Sequence, residues 1–179
     1  ALLYADGGTG GALWAGTQGG LVCWPAEGGT PVKYTTVDGL PAHDIRALAQ
    51  DRQGSIWAGT WGGGLARWDG YRWQTFTTAD GLPSNRVDAI AFDGRDHAWV
   101  GTETGLAHFD GHAWQSYDAF DGLAASYVTA IAIDAEDRAW IGTVRGVSVF
   151  DGASWITASV STWRGGVCVY DGAAWRHYK

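Results

Sequence analysis

The chain has no methionine among its 179 residues, only two cysteines and four prolines, and no run of basic residues. Each shortage excludes something. Two cysteines, Cys23 and Cys168, are too few for a disulfide scaffold. A net charge of −7 without a basic run argues against nucleic acid or an anionic membrane surface as partner. No apolar stretch reaches the roughly 18 residues of a membrane span, and no signal-peptide pattern is present. Helical periodicity is missing throughout. So are the G-x-S-x-G elbow, a Cys–His dyad motif and a phosphate loop, and the sequence implies no cofactor and no catalytic residue. Because methionine is lacking even at position 1, and Ala1 already lies inside a repeat, the chain reads as an excerpt of a longer one.

What is abundant is glycine, at 28 residues, and tryptophan, at 12. Hydrophobic residues make up 46% of the chain, which marks it as globular. Much of the tryptophan belongs to a repeated phrase, W-[AVI]-G-T, at Trp14–Thr17, Trp57–Thr60, Trp99–Thr102 and Trp140–Thr143. Successive tryptophans stand 43, 42 and 41 residues apart. A period in the low forties denotes one supersecondary unit used repeatedly.

The third copy shows the unit. Val87–Phe92 is short, apolar and rich in small residues, as suits an inner strand covered on both faces. After the turn Asp93-Gly94-Arg95-Asp96, strands follow at 98–102, 105–109 and 113–117. The last alternates and is more polar, as an outer edge should be. Asp110-Gly111 between the final two strands predicts a two-residue type I′ hairpin with Phe109 facing His112. The pair recurs as Asp69-Gly70, Asp151-Gly152 and Asp171-Gly172. Longer loops carrying Asp38-Gly39-Leu40-Pro41, Asp80-Gly81-Leu82-Pro83 and Asp121-Gly122-Leu123 lead into the next unit.

Four antiparallel strands in about 40–45 residues form the blade of a β-propeller. The fold class is therefore all-β, a propeller of four complete blades and the outer half of a fifth, in one domain. The blades divide at approximately 1–38, 39–80, 81–121, 122–157 and 158–179. In this reading the Trp of W-x-G-T wedges between blades, the Gly admits a close backbone and the Thr bonds a nearby turn. The last unit is short. Trp73 to Thr102 and Trp114 to Thr143 each span 29 residues, but Trp155 to Thr162 spans 7, so about 22 residues of inner blade are missing there. An abnormal path between Trp155 and Thr162 is expected. Cys23 and Cys168 fall one register position apart, on opposite strand faces, which favours free thiols.

The repeat, typified by Ile45–Leu48, Trp57–Thr60, Asp69-Gly70, Trp73 and Asp80–Pro83, resembles the two-component regulator propeller repeat across essentially the whole chain. That resemblance implies the extracellular or periplasmic sensor region of a bacterial signalling protein. Such regions often stand ahead of a membrane span and a kinase or cyclase, and many are thought to sense glycans or their fragments. Nothing in this chain matches the kinase, the span or an output module.

Within a repeat architecture, strand positions recur because each blade packs alike, so a ligand is expected where the loops vary. One variable set is Gln18, Trp61, Glu103, Arg145 and Trp163-Arg164, in the turns between second and third strands. The other is His43-Asp44, Asn85-Arg86 and Tyr127, ahead of the inner strands. Both sets fall at the same end of an up-and-down blade. Trp61 and Trp163 offer surfaces for a sugar or aromatic ring, and Glu103, Arg86 and Arg145 offer directional hydrogen bonds.

The expected function is binding of a small molecule, glycan or protein partner without chemistry. Two alternatives stand beside it: a propeller lyase or hydrolase of the streptogramin-lyase type, whose nominees would be His43 and Glu103, and a purely structural interaction module. His108 and His112 flank a hairpin and are expected on opposite faces, so no metal site is read from them. The acidic turns Asp93–Asp96 and Asp134–Asp137 read as solvated turns rather than calcium loops.

Overall fold

The structure is a computed structural model that describes residues 1–6, 11–26, 28–159, 167–170 and 175–178. Four antiparallel sheets of four strands follow one another along the chain. The first blade holds β1 (Leu2–Ala5), β2 (Ala12–Thr17), β3 (Gly20–Pro25) and β4 (Val32–Tyr34). The second holds β5 (Ile45–Gln50), β6 (Ile56–Thr60), β7 (Leu65–Trp68) and β8 (Trp73–Phe76). The third holds β9 (Val87–Phe92), β10 (Ala98–Thr102), β11 (Leu106–Phe109) and β12 (Trp114–Tyr117). The fourth holds β13 (Val128–Ile133), β14 (Ala139–Thr143), β15 (Gly146–Phe150) and β16 (Trp155–Ser159). A two-stranded sheet of β17 (Val167–Tyr170) and β18 (Trp175–Tyr178) follows. The abnormal path expected between Trp155 and Thr162 begins in an ordinary strand, β16, and the rest of that stretch lies outside the described residues. The side chain of Cys168 lies outside them too, while Cys23 is a buried free thiol.

Within each blade the strands pair strictly with their sequence neighbours. Between blades, the first strands β5, β9 and β13 lie beside one another. Packing of this kind explains the repeated phrase. Trp14, Trp57 and Trp99 are buried at 6%, 2% and 4% exposure, and Trp57 and Trp99 each lie in a cluster with apolar residues of the following blade. Trp57 stacks on Phe76 at 5.7 Å and meets Phe92 of the third blade edge-on. Its indole N–H donates to Asp51 Oδ2 at 2.9 Å, so the polar edge of a buried ring is satisfied.

The glycine of W-x-G-T has a measurable reason. A Cβ built on Gly59 would sit 2.6 Å from Val87 Cγ1, and one on Gly101 would sit 2.5 Å from Val128 Cγ1. The β-branched residues that open β9 and β13 thus pack straight onto the previous blade's backbone. The threonine closes the same turn in every blade. Thr17, Thr60, Thr102 and Thr143 donate through Oγ1 to the carbonyls of Gly20, Gly64, Gly105 and Gly146 at 2.7–3.0 Å. At the far end of the blades, side chains suture neighbours. Asp96 accepts from Arg52 N at 2.9 Å and Asp137 accepts from Gly94 N at 2.5 Å.

The Asp-Gly hairpins differ from the two-residue type I′ turn that the sequence predicts. Phe109 pairs with Trp114 and His108 with Gln115, so the loop has four residues, Asp110 to Ala113. Only the glycine takes a positive φ, 94° at Gly111. The aspartate explains the change, because Asp110 Oδ1 accepts from both His112 N and Ala113 N at 2.8 Å. Asp69 and Asp151 do the same in their blades. A side chain that caps two amides replaces the tight turn with a longer one.

Candidate functional site

The turns between second and third strands and the loops ahead of the first strands meet at one end of the blades. Backbone bonds tie them together: Trp61 N donates to Asp44 O at 2.9 Å, Glu103 N to Arg86 O at 3.3 Å and Val144 N to Tyr127 O at 3.2 Å. Trp61 also forms an isolated bridge with Arg86 across the boundary between the second and third blades. That boundary is held further by Asn85 O, which accepts from Gly62 N and Gly64 N at 3.0 and 2.8 Å.

Arg86 is the hub. Its guanidinium carbon lies 3.4 Å from the centroid of the Trp61 ring and 4.9 Å from that of Tyr127. Nη1 donates to Glu103 Oε1 at 3.1 Å, and Nη2 donates to the Tyr127 hydroxyl. Asp88 Oδ2 stands 3.2 Å from Nε without the alignment of a hydrogen bond, so the two attract as charges while each buried atom keeps its hydrogen-bonding capacity. Arg46 lies 4.3 Å from the Trp61 centroid and is paired with Asp44 at 3.0 Å. Burial, and then the Asp88 carboxylate, push the Tyr127 phenol above its ordinary pKa, so it is a neutral hydroxyl at physiological pH. Trp61 remains 43% exposed with two guanidiniums against its ring.

Four residues named from the sequence, Trp61, Arg86, Glu103 and Tyr127, therefore come together from three consecutive blades. Others do not join them. Asn85 turns its side chain to Thr78 N at 2.9 Å, and His43 Nε2 bonds Thr36 Oγ1 at 3.2 Å. With Glu103 committed to Arg86, the two enzymatic nominees are each engaged elsewhere. Arg145 is exposed in the corresponding turn of the fourth blade and takes no part in these interactions. Trp163 and Arg164 lie outside the described residues. Sequence reasoning missed Arg46 and Asp88. Both sit inside strands, where repetition hides variation, although Arg46 and Asp88 do differ from Thr129 at the same blade position.

Residues 39–62, 81–104 and 122–145 each match the family described as "Two component regulator propeller". Three segments, one each in the second, third and fourth blades, are thus two-component regulator propeller repeats. The matched segments hold most of the site described above: Asp44, Arg46 and Trp61 in the first, Arg86, Asp88 and Glu103 in the second, and Tyr127 in the third. No curated protein matches the chain.

Among solved structures, this propeller is similar to the extracellular domain of the hybrid two component system BT3049 from B. thetaiotaomicron. The TM-score is 0.78 at 23% identity, over 88% of this chain and 22% of that one. It is also similar to the extracellular domain of BT4673 from the same organism, with a TM-score of 0.74 at 18% identity over 96% and 27%. The virginiamycin B lyase of Staphylococcus aureus shares the fold as well, with a TM-score of 0.68 at 14% identity over 91% and 57%. The chain thus spans about a quarter of the two extracellular-domain chains and just over half of the lyase. At these identities the likeness establishes the propeller fold. Among the described residues, no helix is long and apolar enough to cross a membrane.

Proposed function

We propose that this propeller is a non-catalytic, extracytoplasmic sensor module that binds a neutral, hydroxyl-rich ligand such as a glycan fragment at the Trp61–Arg86–Glu103–Tyr127 cluster. The observation that carries the reading is the convergence on Arg86 of side chains from three blades beside a half-exposed indole. Aromatic surface beside a few fixed polar groups is the composition of a small-molecule site. Charge narrows the class of ligand. Arg46 and Arg86 are matched by Asp44, Asp88 and Glu103, so the cluster has no surplus positive charge to recruit an anion. It does offer guanidinium donors and carboxylate acceptors side by side, which suit hydroxyl groups that both donate and accept.

The extracytoplasmic placement rests on the family and on the extracellular domains that share the fold. Absence of catalysis rests on the engagement of His43 and Glu103 with separate partners. A panel of soluble neutral oligosaccharides, titrated calorimetrically into the chain, tests the proposal. Trp61→Ala and Glu103→Gln should each weaken any binding found by tenfold or more while the far-ultraviolet spectrum stays unchanged. Binding that survives both substitutions places the ligand elsewhere.

A further inference from the structure

A second cluster lies at the opposite end of the third blade, and comparison of the blades with one another defines it. Six residues before the tryptophan of W-x-G-T stands an aspartate: Asp51, Asp93 and Asp134 in the second, third and fourth blades. Each aspartate Oδ1 accepts from backbone amides of its own turn. Each Oδ2 faces the indole N–H, at 2.9 Å from Trp57 and 2.7 Å from Trp140 but 3.4 Å from Trp99.

In the second and fourth blades an arginine compensates the inward carboxylate. Arg67 Nη2 stands 3.2 Å from Asp51 Oδ2, and Arg138 Nε stands 2.7 Å from Asp134 Oδ2. These arginines come from different places. Arg67 lies opposite Trp57 on β7, and Arg138 stands two residues before Trp140. In the third blade both places are histidine: His108 lies opposite Trp99 on β11, and His97 stands two residues before it. Among the described residues no lysine or arginine pairs with Asp93.

What surrounds Asp93 instead is a set of metal-ligating atoms. Its Oδ2 is 3.3 Å from His97 Nδ1 and 3.9 Å from His108 Nε2, and all three atoms lie within 4.8 Å of one another. Donor atoms on roughly 2.0–2.1 Å bonds around a tetrahedral zinc ion stand about 3.3 Å apart. Asp93 Oδ2 and His97 Nδ1 already have that spacing, and His108 Nε2 would need to close on Asp93 by about 0.6 Å. His108 Nε2 is buried with no hydrogen-bond partner among the described residues. An unpartnered buried imidazole nitrogen is costly unless something occupies it. The ring is fixed against Trp99 at 4.2 Å between centroids. The three residues border a cleft of about 290 Å³ that also reaches Glu136 and Asp151 of the fourth blade, which leaves room for water or a further carboxylate at an open position.

We propose that Asp93, His97 and His108 form a binding site for a divalent transition-metal cation of the zinc class, which supplies the positive charge that arginine supplies in the neighbouring blades. Two imidazoles and one carboxylate are a donor set for zinc rather than for magnesium or calcium, whose ligands are oxygen. The site is separate from the ligand-binding cluster and stands or falls independently of it.

Calorimetric titration of the metal-stripped 179-residue chain with zinc, and its visible spectrum with cobalt, test this. One zinc should bind per chain, and zinc should raise the melting temperature. His97→Ala, and His108→Arg, which recreates the second blade's pairing, should each weaken zinc binding at least tenfold and remove the cobalt absorption of an imidazole-bound ion. His112→Ala, in the exposed hairpin loop, should leave both unchanged. Circular dichroism confirms that each variant is folded. Failure of the parent chain to bind zinc at 100-fold molar excess would overturn the proposal, as would unchanged affinity in folded His97→Ala and His108→Arg.

Discussion

The guanidinium carbon of Arg86 lies 3.4 Å from the centroid of the Trp61 ring, and through this contact the third blade reaches into a turn of the second. The same guanidinium faces Asp88 and Glu103. Removing it leaves two carboxylates without their cation, one of them only 15% exposed. Arg86→Ala should therefore destabilise the fold by about 2 kcal/mol, below the roughly 3–5 kcal/mol of a fully buried pair because the cluster keeps some solvent. Urea unfolding measures this. A midpoint unchanged from the parent would show that the cluster contributes nothing to the blade boundary.

Trp57 combines area and polarity. Trp57→Ala should cost about 3–5 kcal/mol through the cavity that it leaves. Trp57→Phe isolates the polar part, because it keeps an aromatic ring but withdraws the N–H that Asp51 accepts at 2.9 Å. That carboxylate is 3% exposed, so the milder variant should still cost about 1–3 kcal/mol. Equal stability of Trp57→Phe and the parent would mean that the indole hydrogen bond is dispensable.

The glycines of W-x-G-T provide an internal control. A Cβ on Gly101 would meet Val128 Cγ1 at 2.5 Å, whereas one on Gly142 meets nothing closer than 3.4 Å. Gly101→Ala should lose about 1–3 kcal/mol to overpacking, and Gly142→Ala should be nearly neutral. Thermal denaturation of the two variants side by side distinguishes them. A larger loss in Gly142→Ala would contradict the packing account of the repeat.

Acid stability depends in part on Asp134. Burial opposes its ionisation, but hydrogen bonds from the Trp140 indole and the Arg138 backbone and guanidinium outweigh this and lower its pKa to about 2. A carboxylate with a depressed folded-state pKa stabilises the fold above its unfolded value, and that contribution fades as pH falls from the ordinary carboxylate range towards about 2. Asp134→Asn should be less stable than the parent at pH 7, and the difference should shrink on acidification. Melting curves between pH 7 and pH 2.5 check the sign. A gap that widens in acid would reverse it.

Much of this protein is determined by its sequence alone. The period of the tryptophans defines the blades, because a unit that must pack on copies of itself repeats its buried residues at a fixed spacing. The extents of β9 and β10 and the roles of Trp, Gly and Thr in the repeated phrase follow from the same constraint. The shared end of the two loop sets follows from strand parity, which needs only the count of strands in a blade. Tertiary structure decided the rest. Asp110 lengthens its hairpin by capping two amides, a competition between side chain and turn that the dipeptide Asp-Gly does not reveal. Arg86 is the hub because it lies where side chains of three blades approach one another. His97 and His108 are 11 residues apart in the sequence and belong to different strands or turns, and antiparallel pairing across Trp99 brings both beside Asp93. Spacing along a chain reports which residues must be alike from blade to blade. Which unlike residues meet is decided by register and by the packing of one blade against the next.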